Sequence, residues 1–366
     1  MAGVYISYPF CAQKCTYCNF ASGVFPRDLE SKYLETLQSE IASYPWEWRP
    51  ETVYLGGGTP SAMDPAALAK ILAAIPGRPW IEATIEAAPR SLSADKILAW
   101  ESYGINRVSL GVQSFIGCEI MRIGRKHTAE IVASEISLLR ERKIGNINID
   151  LIAGLPGQTR ASWEESLDWI ERLAPPHVSI YMLEIDEDSR LGNEILLGGK
   201  RYGAPDVPPE DLSIELYERA VERLAAIGIR RYEISNFALP GLESKHNLKY
   251  WRLHPYAGFG ADAHSFDGRS RSQNAETASE YVARFERNET LCVEMTPTRA
   301  EEEKFFVGLR LSEGVRPEAL EWHRYGEAIH RFVAQGLLEQ IDGALRLTDR
   351  GVLLSNEVFQ EFLSES

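Results

Sequence analysis

Apolar positions follow two alternating rhythms over the first two thirds of the chain. Residues 4–8, 52–55, 81–86, 107–110, 147–152 and 178–183 are short runs rich in Val, Ile, Leu and Tyr, bounded by Gly, Pro, Asn or Asp, and they read as buried strands. Between them the spacing changes to the 3.6-residue period of a helix. Leu29, Tyr33, Leu34, Leu37 and Ile41 lie on one face of a helix over 29–44, and similar stripes predict helices over 65–75, 94–102, 127–142, 160–173 and 208–227. A short apolar run at 232–234 follows the last of these. About six strand–helix alternations predict a parallel sheet with crossover helices, an open or complete βα barrel, whose working residues belong where strands end. The rhythm breaks over 245–266, a stretch dense in His, Tyr, Trp and Gly. Beyond Pro297 it becomes helical over 299–311 and 317–335, then hairpin-like near Gly343, with a last helix over 351–363. This predicts three regions: a barrel over 1–235, a connecting segment over 236–296, and a small α+β, winged-helix-like tail over 297–366.

Composition narrows what such a chain does. Its 366 residues suffice for two domains, and 39 Lys and Arg against 53 Asp and Glu leave a net charge of −14. An acidic surface argues against a broad nucleic-acid footprint, including for the winged-helix-like tail. No leader pattern and no bilayer-length apolar run is visible, and unpaired cysteines fit a reducing compartment, so the expected location is cytoplasmic.

The chemistry concentrates in one loop. Cys11, Cys15 and Cys18 are spaced C-x3-C-x2-C directly after the first strand. Three thiolates at this spacing can hold three corners of a 4Fe–4S cubane and leave one iron open. A structural zinc site asks for a fourth ligand, and residues 12–26 offer no further Cys or His beyond the motif. A disulfide would strand one cysteine of the three. The second strand ends in Gly56-Gly57-Gly58-Thr59-Pro60, a turn that exposes backbone to a ligand but lacks the Lys-Ser/Thr of a phosphate loop.

Cys11-x3-Cys15-x2-Cys18 followed by the Gly-Gly-Gly-Thr-Pro turn resembles the radical SAM superfamily. Gly104–Phe115, Gly124-Arg125-Lys126-His127 and Asn148–Thr159 resemble its coproporphyrinogen oxidase-like branch, over nearly the whole chain. The resemblance implies an incomplete (β/α)6-type barrel carrying a 4Fe–4S cluster on Cys11, Cys15 and Cys18. It also implies S-adenosylmethionine held by Tyr5, Gly57, Gly58, Thr59, Glu86, Gln113, Arg125 and Asp150. The branch contains the oxygen-independent coproporphyrinogen III oxidases, which have another Cys two residues after the third, and the HemW-like haem chaperones, which have Phe there. This chain has Phe20. It also carries His246-Asn247-Leu248-Lys249-Tyr250-Trp251, matching the chaperones' His-Asn-x-x-Tyr-Trp. The implied function is haem binding through His246, Asn247, Tyr250 and Trp251, with transfer to an acceptor haem protein expected to be respiratory and membrane-associated, and a homodimer as one assembly. The alternative is a radical enzyme acting on a tetrapyrrole, within porphyrin biosynthesis. Read on its own, the 246–251 segment also fits an aromatic core patch with a hydrogen-bonded histidine. His254 and His264 are lesser haem candidates, and Cys118 and Cys292 are expected to be buried thiols. The chain departs from the branch pattern at Ser7 and Tyr8, where His-Ile is usual, and at Ala88, where Asn is usual.

Overall fold

The computed structural model describes residues 2–363; the last three positions of the expected tail lie outside the described residues. The strands are β1 (Ala2–Tyr8), β2 (Pro50–Gly57), β3 (Glu82–Ala87), β4 (Arg107–Gln113), β5 (Asn146–Ala153), β6 (His177–Met182), β7 (Arg230–Arg231), β8 (Asn236–Ala238), β9 (Tyr256–Phe259), β10 (His264–Phe266), β11 (Ser270–Asn274), β12 (Cys292–Pro297), β13 (Leu338–Ile341) and β14 (Ala344–Leu347). The helices are α1 (Arg27–Ser43), α2 (Pro65–Ala73), α3 (Ala94–Tyr103), α4 (Gly117–Arg122), α5 (Ala129–Glu141), α6 (Arg160–Leu173), α7 (Arg190–Leu196), α8 (Glu210–Ala226), α9 (Asn247–Trp251), α10 (Ala278–Glu286), α11 (Ala300–Gly308), α12 (Ala319–Ala334), α13 (Asp349–Leu353) and α14 (Ser355–Gln360).

Local chemistry sets the helices. Asp64 accepts from the amides of Ala66 and Ala67 and starts α2 with Pro65 in its first turn. Ser93 caps α3, and Gly104, at φ +92°, ends it in a conformation that Gly adopts freely. Thr159 and Ser162 form a capping box for α6, whose Trp163, Ser166, Leu167, Ile170 and Leu173 face the sheet.

β1 to β6 pair in parallel and in chain order, forming the curved wall of an incomplete (β/α)6 barrel. Each strand splits its residues by parity. Val4 and Ile6, Val53 and Leu55, Val108 and Leu110, Ile147 and Ile149 join the apolar core between sheet and helices. The inward set is polar instead: Tyr54, Glu86, Arg107, Ser109, Asn148, Asp150 and Ser179 surround a small cavity of about 40 Å³. A parallel barrel filled with branched aliphatic side chains is a packed core; this one keeps an internal space lined with charge.

The 236–296 stretch does more than connect. β8 pairs with β6 at one side of the wall, and β9 pairs with β1 at the other. β10, β11 and β12 continue antiparallel beyond β9, completing a 12-stranded sheet. Residues 232–234, expected as an apolar run, form no strand; Glu233 makes a single bridge to Leu311. The tail has its own core, in which Phe305 stacks on Phe362 with Leu309, Ile329, Phe332 and Leu345 around them. Its final segment, expected as one helix, is two, because Leu354 (φ −109°, ψ 26°) breaks between α13 and α14.

Candidate cluster and cofactor site

The cysteine loop leaves β1 at Tyr8 and is fastened to the glycine turn after β2. Gly58 donates to the Tyr8 carbonyl at 2.8 Å and Thr59 to the Phe10 carbonyl at 3.0 Å. A Cβ on Gly58 would lie 2.7 Å from the Phe10 oxygen, so only Gly permits this approach. Cys11 donates its amide to the Gly23 carbonyl at 2.8 Å, and Gly23 donates to Pro9 at 2.9 Å, closing the loop at its base. All three cysteines are free and half-exposed. Arg125 Nε lies 3.2 Å from Cys15 Sγ, and the same guanidinium donates to the Gly111 carbonyl. Cys18 Sγ and Ser22 Oγ are 3.9 Å apart. Burial pushes the Cys11 thiol up, opposed by hydrogen bonds from Thr59 and Ser22. Among the described residues, no three His, Cys, Asp or Glu converge on a single-ion position. A cubane has no such requirement, since each thiolate takes a different iron.

The remaining residues expected to hold the nucleotide ring the barrel's mouth and inner wall. Gly57, at φ +106°, and Gly58 form the turn beneath the loop. Tyr5 stacks on Tyr54, ring centroids 6.2 Å apart, and Tyr54 donates to Glu86 Oε1 at 2.9 Å. Burial pushes the Glu86 carboxyl up to about 7; the Tyr54 bond opposes this and nearby Asp150 adds to it. Burial also raises Asp150, which accepts from Asn148 at 2.7 Å and from Ser109 at 3.4 Å. Gln113 takes the unusual φ of +73° and points Oε1 into a buried position without a partner. The Thr16 and Thr84 hydroxyls and Arg107 Nε are likewise buried and unpartnered. Buried polar atoms are normally paired. Gln113 and Thr16, unspent near the three free thiols, fit a bound cluster and an amino-acid nucleotide.

Arg107, Ser109, Asn148, Ser179 and Asn236, which line the same cavity, were not anticipated. Their signal was present: Arg-Val-Ser-Leu, Asn-Ile-Asn-Ile-Asp and His-Val-Ser-Ile place a polar residue at every second position of buried strands.

The His-Asn-x-x-Tyr-Trp segment lies at the opposite end, across the starts of the strands. His246 is 0% exposed and points into the barrel floor. Its Nδ1 is 2.9 Å from Thr52 Oγ1, its Nε2 is 2.8 Å from the Tyr250 hydroxyl, and its ring stacks on Tyr54. Burial pushes it down to about 3, with Lys249 and Arg107 adding to the effect. The amides of Lys245 and His246 donate to Glu82 at 3.0 and 2.9 Å. The spacing places His246 and Tyr250 on one face; the resemblance implied that face toward haem, but the fold turns it inward and spends both imidazole nitrogens on protein partners. Asn247 reaches the internal cavity. Trp251 is half-buried, its Nε1 without a partner. His254 is half-buried and His264 exposed. Cys118 and Cys292 are corrected as well. Cys118 is exposed, because α4 turns Glu119 and Ile120 inward instead, and Cys292 is half-buried at the start of edge strand β12.

Comparison with known proteins agrees with this geometry. The profile of the radical SAM superfamily matches residues 5–170, and that of the HemN C-terminal domain matches residues 295–354. The chain is 34% identical to the heme chaperone HemW of Lactococcus lactis, covering 98% of this chain and 96% of that protein. It is also 34% identical to the Bacillus subtilis heme chaperone HemW over the full length of both. The mouse mitochondrial protein named radical S-adenosyl methionine domain-containing protein 1 is 29% identical, over 100% of this chain and 88% of its own. The solved structure of Escherichia coli coproporphyrinogen III oxidase superposes with a TM-score of 0.84 at 20% identity, covering 99% of this chain and 89% of that one, which shows the fold alone. The superfamily's cofactors are a 4Fe–4S cluster and S-adenosylmethionine, and the thiol loop and polar cavity fit both. The chain belongs to the HemW family of the radical SAM superfamily.

Proposed function

We propose that this protein is a haem chaperone: it takes up haem and passes it to an acceptor haem protein. The observation that carries this reading is its full-length likeness to curated chains named heme chaperone HemW. Phe20 supports it, standing 67% exposed where the oxidases of the branch have a further cysteine.

Cys11, Cys15 and Cys18 would hold the cluster. Tyr5, Gly57, Gly58, Thr59, Glu86, Gln113, Arg125 and Asp150 would hold S-adenosylmethionine, with Arg125 suited to a carboxylate and Glu86 and Asp150 to amino or hydroxyl donors. When bound, the pair supplies one-electron cleavage of a sulfonium carbon–sulfur bond. The protein's own part is to hold the thiols in one loop, to keep Glu86 between protonated and ionised forms near neutral pH, and to raise the Asp150 carboxyl by burial.

For haem, the four residues of the 246–251 motif would divide the work. His246 and Tyr250 brace the segment from inside, Asn247 touches the cofactor cavity, and Trp251 offers its ring toward the tail domain. Axial contact from His246 would require its bonds to Thr52 and Tyr250 to open. The acceptor would be a respiratory, membrane-associated haem protein met from the cytoplasmic side, with the chaperone alone or paired with a second copy. Among the described residues no helix is long and apolar enough to cross a membrane.

One anaerobically reconstituted sample tests the reading. Haem titration should give a saturable complex, apo-acceptor should withdraw that haem, and coproporphyrinogen should remain unconverted. Turnover to protoporphyrinogen would instead establish the radical-enzyme reading.

A further inference from the structure

A second cleft, of about 280 Å³, lies where the tail meets the edge of the barrel. It is separate from the cofactor cavity and shares no lining residue with it. Its walls bring together Arg231 of β7, Arg310 after α11 and Arg346 of β14, with Glu339 and Asp349 as the acidic members. Three guanidiniums against two carboxylates stand out in a chain of net charge −14.

Two of the arginines, Arg310 and Arg346, keep donors without hydrogen-bond partners, although the carboxylates of Glu233 and Glu184 lie near Arg310. Arg310 lies over the Trp251 ring at 4.8 Å and near the Phe359 ring at 5.6 Å, so aromatic contacts cover its faces and leave its edge donors free. Its Nε is buried without a hydrogen-bond partner. Arg346 Nε is also buried and unpartnered, although Glu339 is its cross-strand neighbour. Arg231 pairs with Asp349 at 2.6 Å, a carboxylate 86% exposed. Leaving buried guanidinium donors unmade is costly. Two such donors in one cleft match a ligand bringing two carboxylates along one edge, each suited to the planar fork of an arginine. The stacked Trp251 joins the cleft to the only large ring of the 246–251 motif that is not tied inward. Because the lining is mainly polar, the cleft would take the charged edge of such a ligand and leave its apolar body outside.

We propose that this cleft binds the two propionate carboxylates of haem, through Arg310 and Arg346 with Arg231 in support, and so orients the ring for transfer. The proposal rests on the haem-chaperone reading.

The test compares haemin with haemin dimethyl ester, which lacks free carboxylates, on the full-length protein carrying its cluster. Titrations use wild type, R310Q, R346Q and the double variant, with cluster absorbance and near-ultraviolet circular dichroism as folding controls. R346Q, on a surface hairpin, keeps the test open should R310Q fail to fold. Haemin should bind each single variant about tenfold more weakly and the double variant weaker still. The ester should bind wild type as weakly as haemin binds the double variant, and should not respond to the substitutions. Equal affinity of haemin and ester, or unchanged haemin affinity in folded R346Q and R310Q, would overturn the cleft while leaving the chaperone reading intact. Wild type that binds no haemin at all would overturn both. Inorganic phosphate that binds in an arginine-dependent way without displacing haemin would assign the cleft to another anion and end the proposal.

Discussion

Two buried polar regions of this barrel, the network around His246 at the floor and the groups beside the thiol loop at the mouth, are treated differently. At the floor the groups packed around His246 are satisfied, although Arg107 Nε and Asn146 Oδ1, where β4 and β5 begin, are not. Glu82 accepts from two backbone amides, His246 bonds through both ring nitrogens, and Lys249 pairs with Glu51 at 2.9 Å. At the mouth Gln113 and Thr16 hold buried atoms without partners, and on the inner wall burial holds the Glu86 carboxyl up to about 7. A saturated polar network behaves as structure, and an unsaturated one is a site awaiting a ligand. Residue type alone does not separate them: the most suggestive side chain of the chain, a histidine among aromatics, belongs to the saturated end.

The comparison can be broken by experiment. The largest effect is expected at the mouth. Cys15→Ser should abolish the cluster, read as lost iron, sulfide and visible absorbance, while leaving the denaturant midpoint of the cluster-free protein almost unchanged. At the floor the pattern should reverse. Glu82→Ala leaves the buried His246 amide and the part-buried Lys245 amide without their acceptor and should cost about 2–4 kcal/mol in urea unfolding, with cluster incorporation intact in the folded fraction. A floor variant as stable as wild type would erase the distinction. His246→Ala should behave like Glu82→Ala, so any loss of haem binding should come with a drop in melting temperature.

Glu86 gives a pH signature. Its folded carboxyl stands above the unfolded value, so its contribution to stability is complete below about pH 4.5 and is lost as pH rises through about 7. At pH 8 the cofactor-free Glu86→Gln variant should therefore be more stable than wild type, by on the order of 3 kcal/mol at most, and the advantage should vanish near pH 4.5. The same variant should bind S-adenosylmethionine more weakly. An advantage that does not change with pH would show that the inner wall carries no such burden. The smallest effect belongs to Phe20→Ala, expected within about 0.5 kcal/mol of wild type, because the ring is exposed and packs little; a change in haem transfer without a change in stability would show that it serves the partner.

Much of the fold was legible because period and punctuation agree. The six wall strands and the helices between them fall within a few residues of their predicted positions, since Thr159, Ser93 and Gly104 mark ends that the apolar stripes alone leave vague. β8 to β12 were hidden. They are short, and Ser-Arg-Ser-Gln-Asn carries no apolar alternation, because β11 draws its stability from pairing more than from burial. The thiol loop was readable from spacing, as its ligands are adjacent in sequence. The polar inner wall was not, since its members become neighbours only when the strands align, as Glu86 with Ser109 and Asp150 with Ser179. For the 246–251 motif, helical spacing correctly brings His246 next to Tyr250, but spacing is silent about which side of a short helix meets the protein.

The pairing of β1 with β9 has a consequence for biogenesis. The strand that leads into the thiol loop is made first, yet its second neighbour, aligned from Gly3↔Tyr256 onward, is synthesised about 250 residues later. At about 5–20 residues per second the ribosome delivers that neighbour some tens of seconds after the cysteines emerge. Gly260, just beyond β9, then packs against the Ser7 carbonyl at the very root of the loop. The root of the thiol loop is therefore complete only once the chain has been made past Gly260, well after the cysteines themselves.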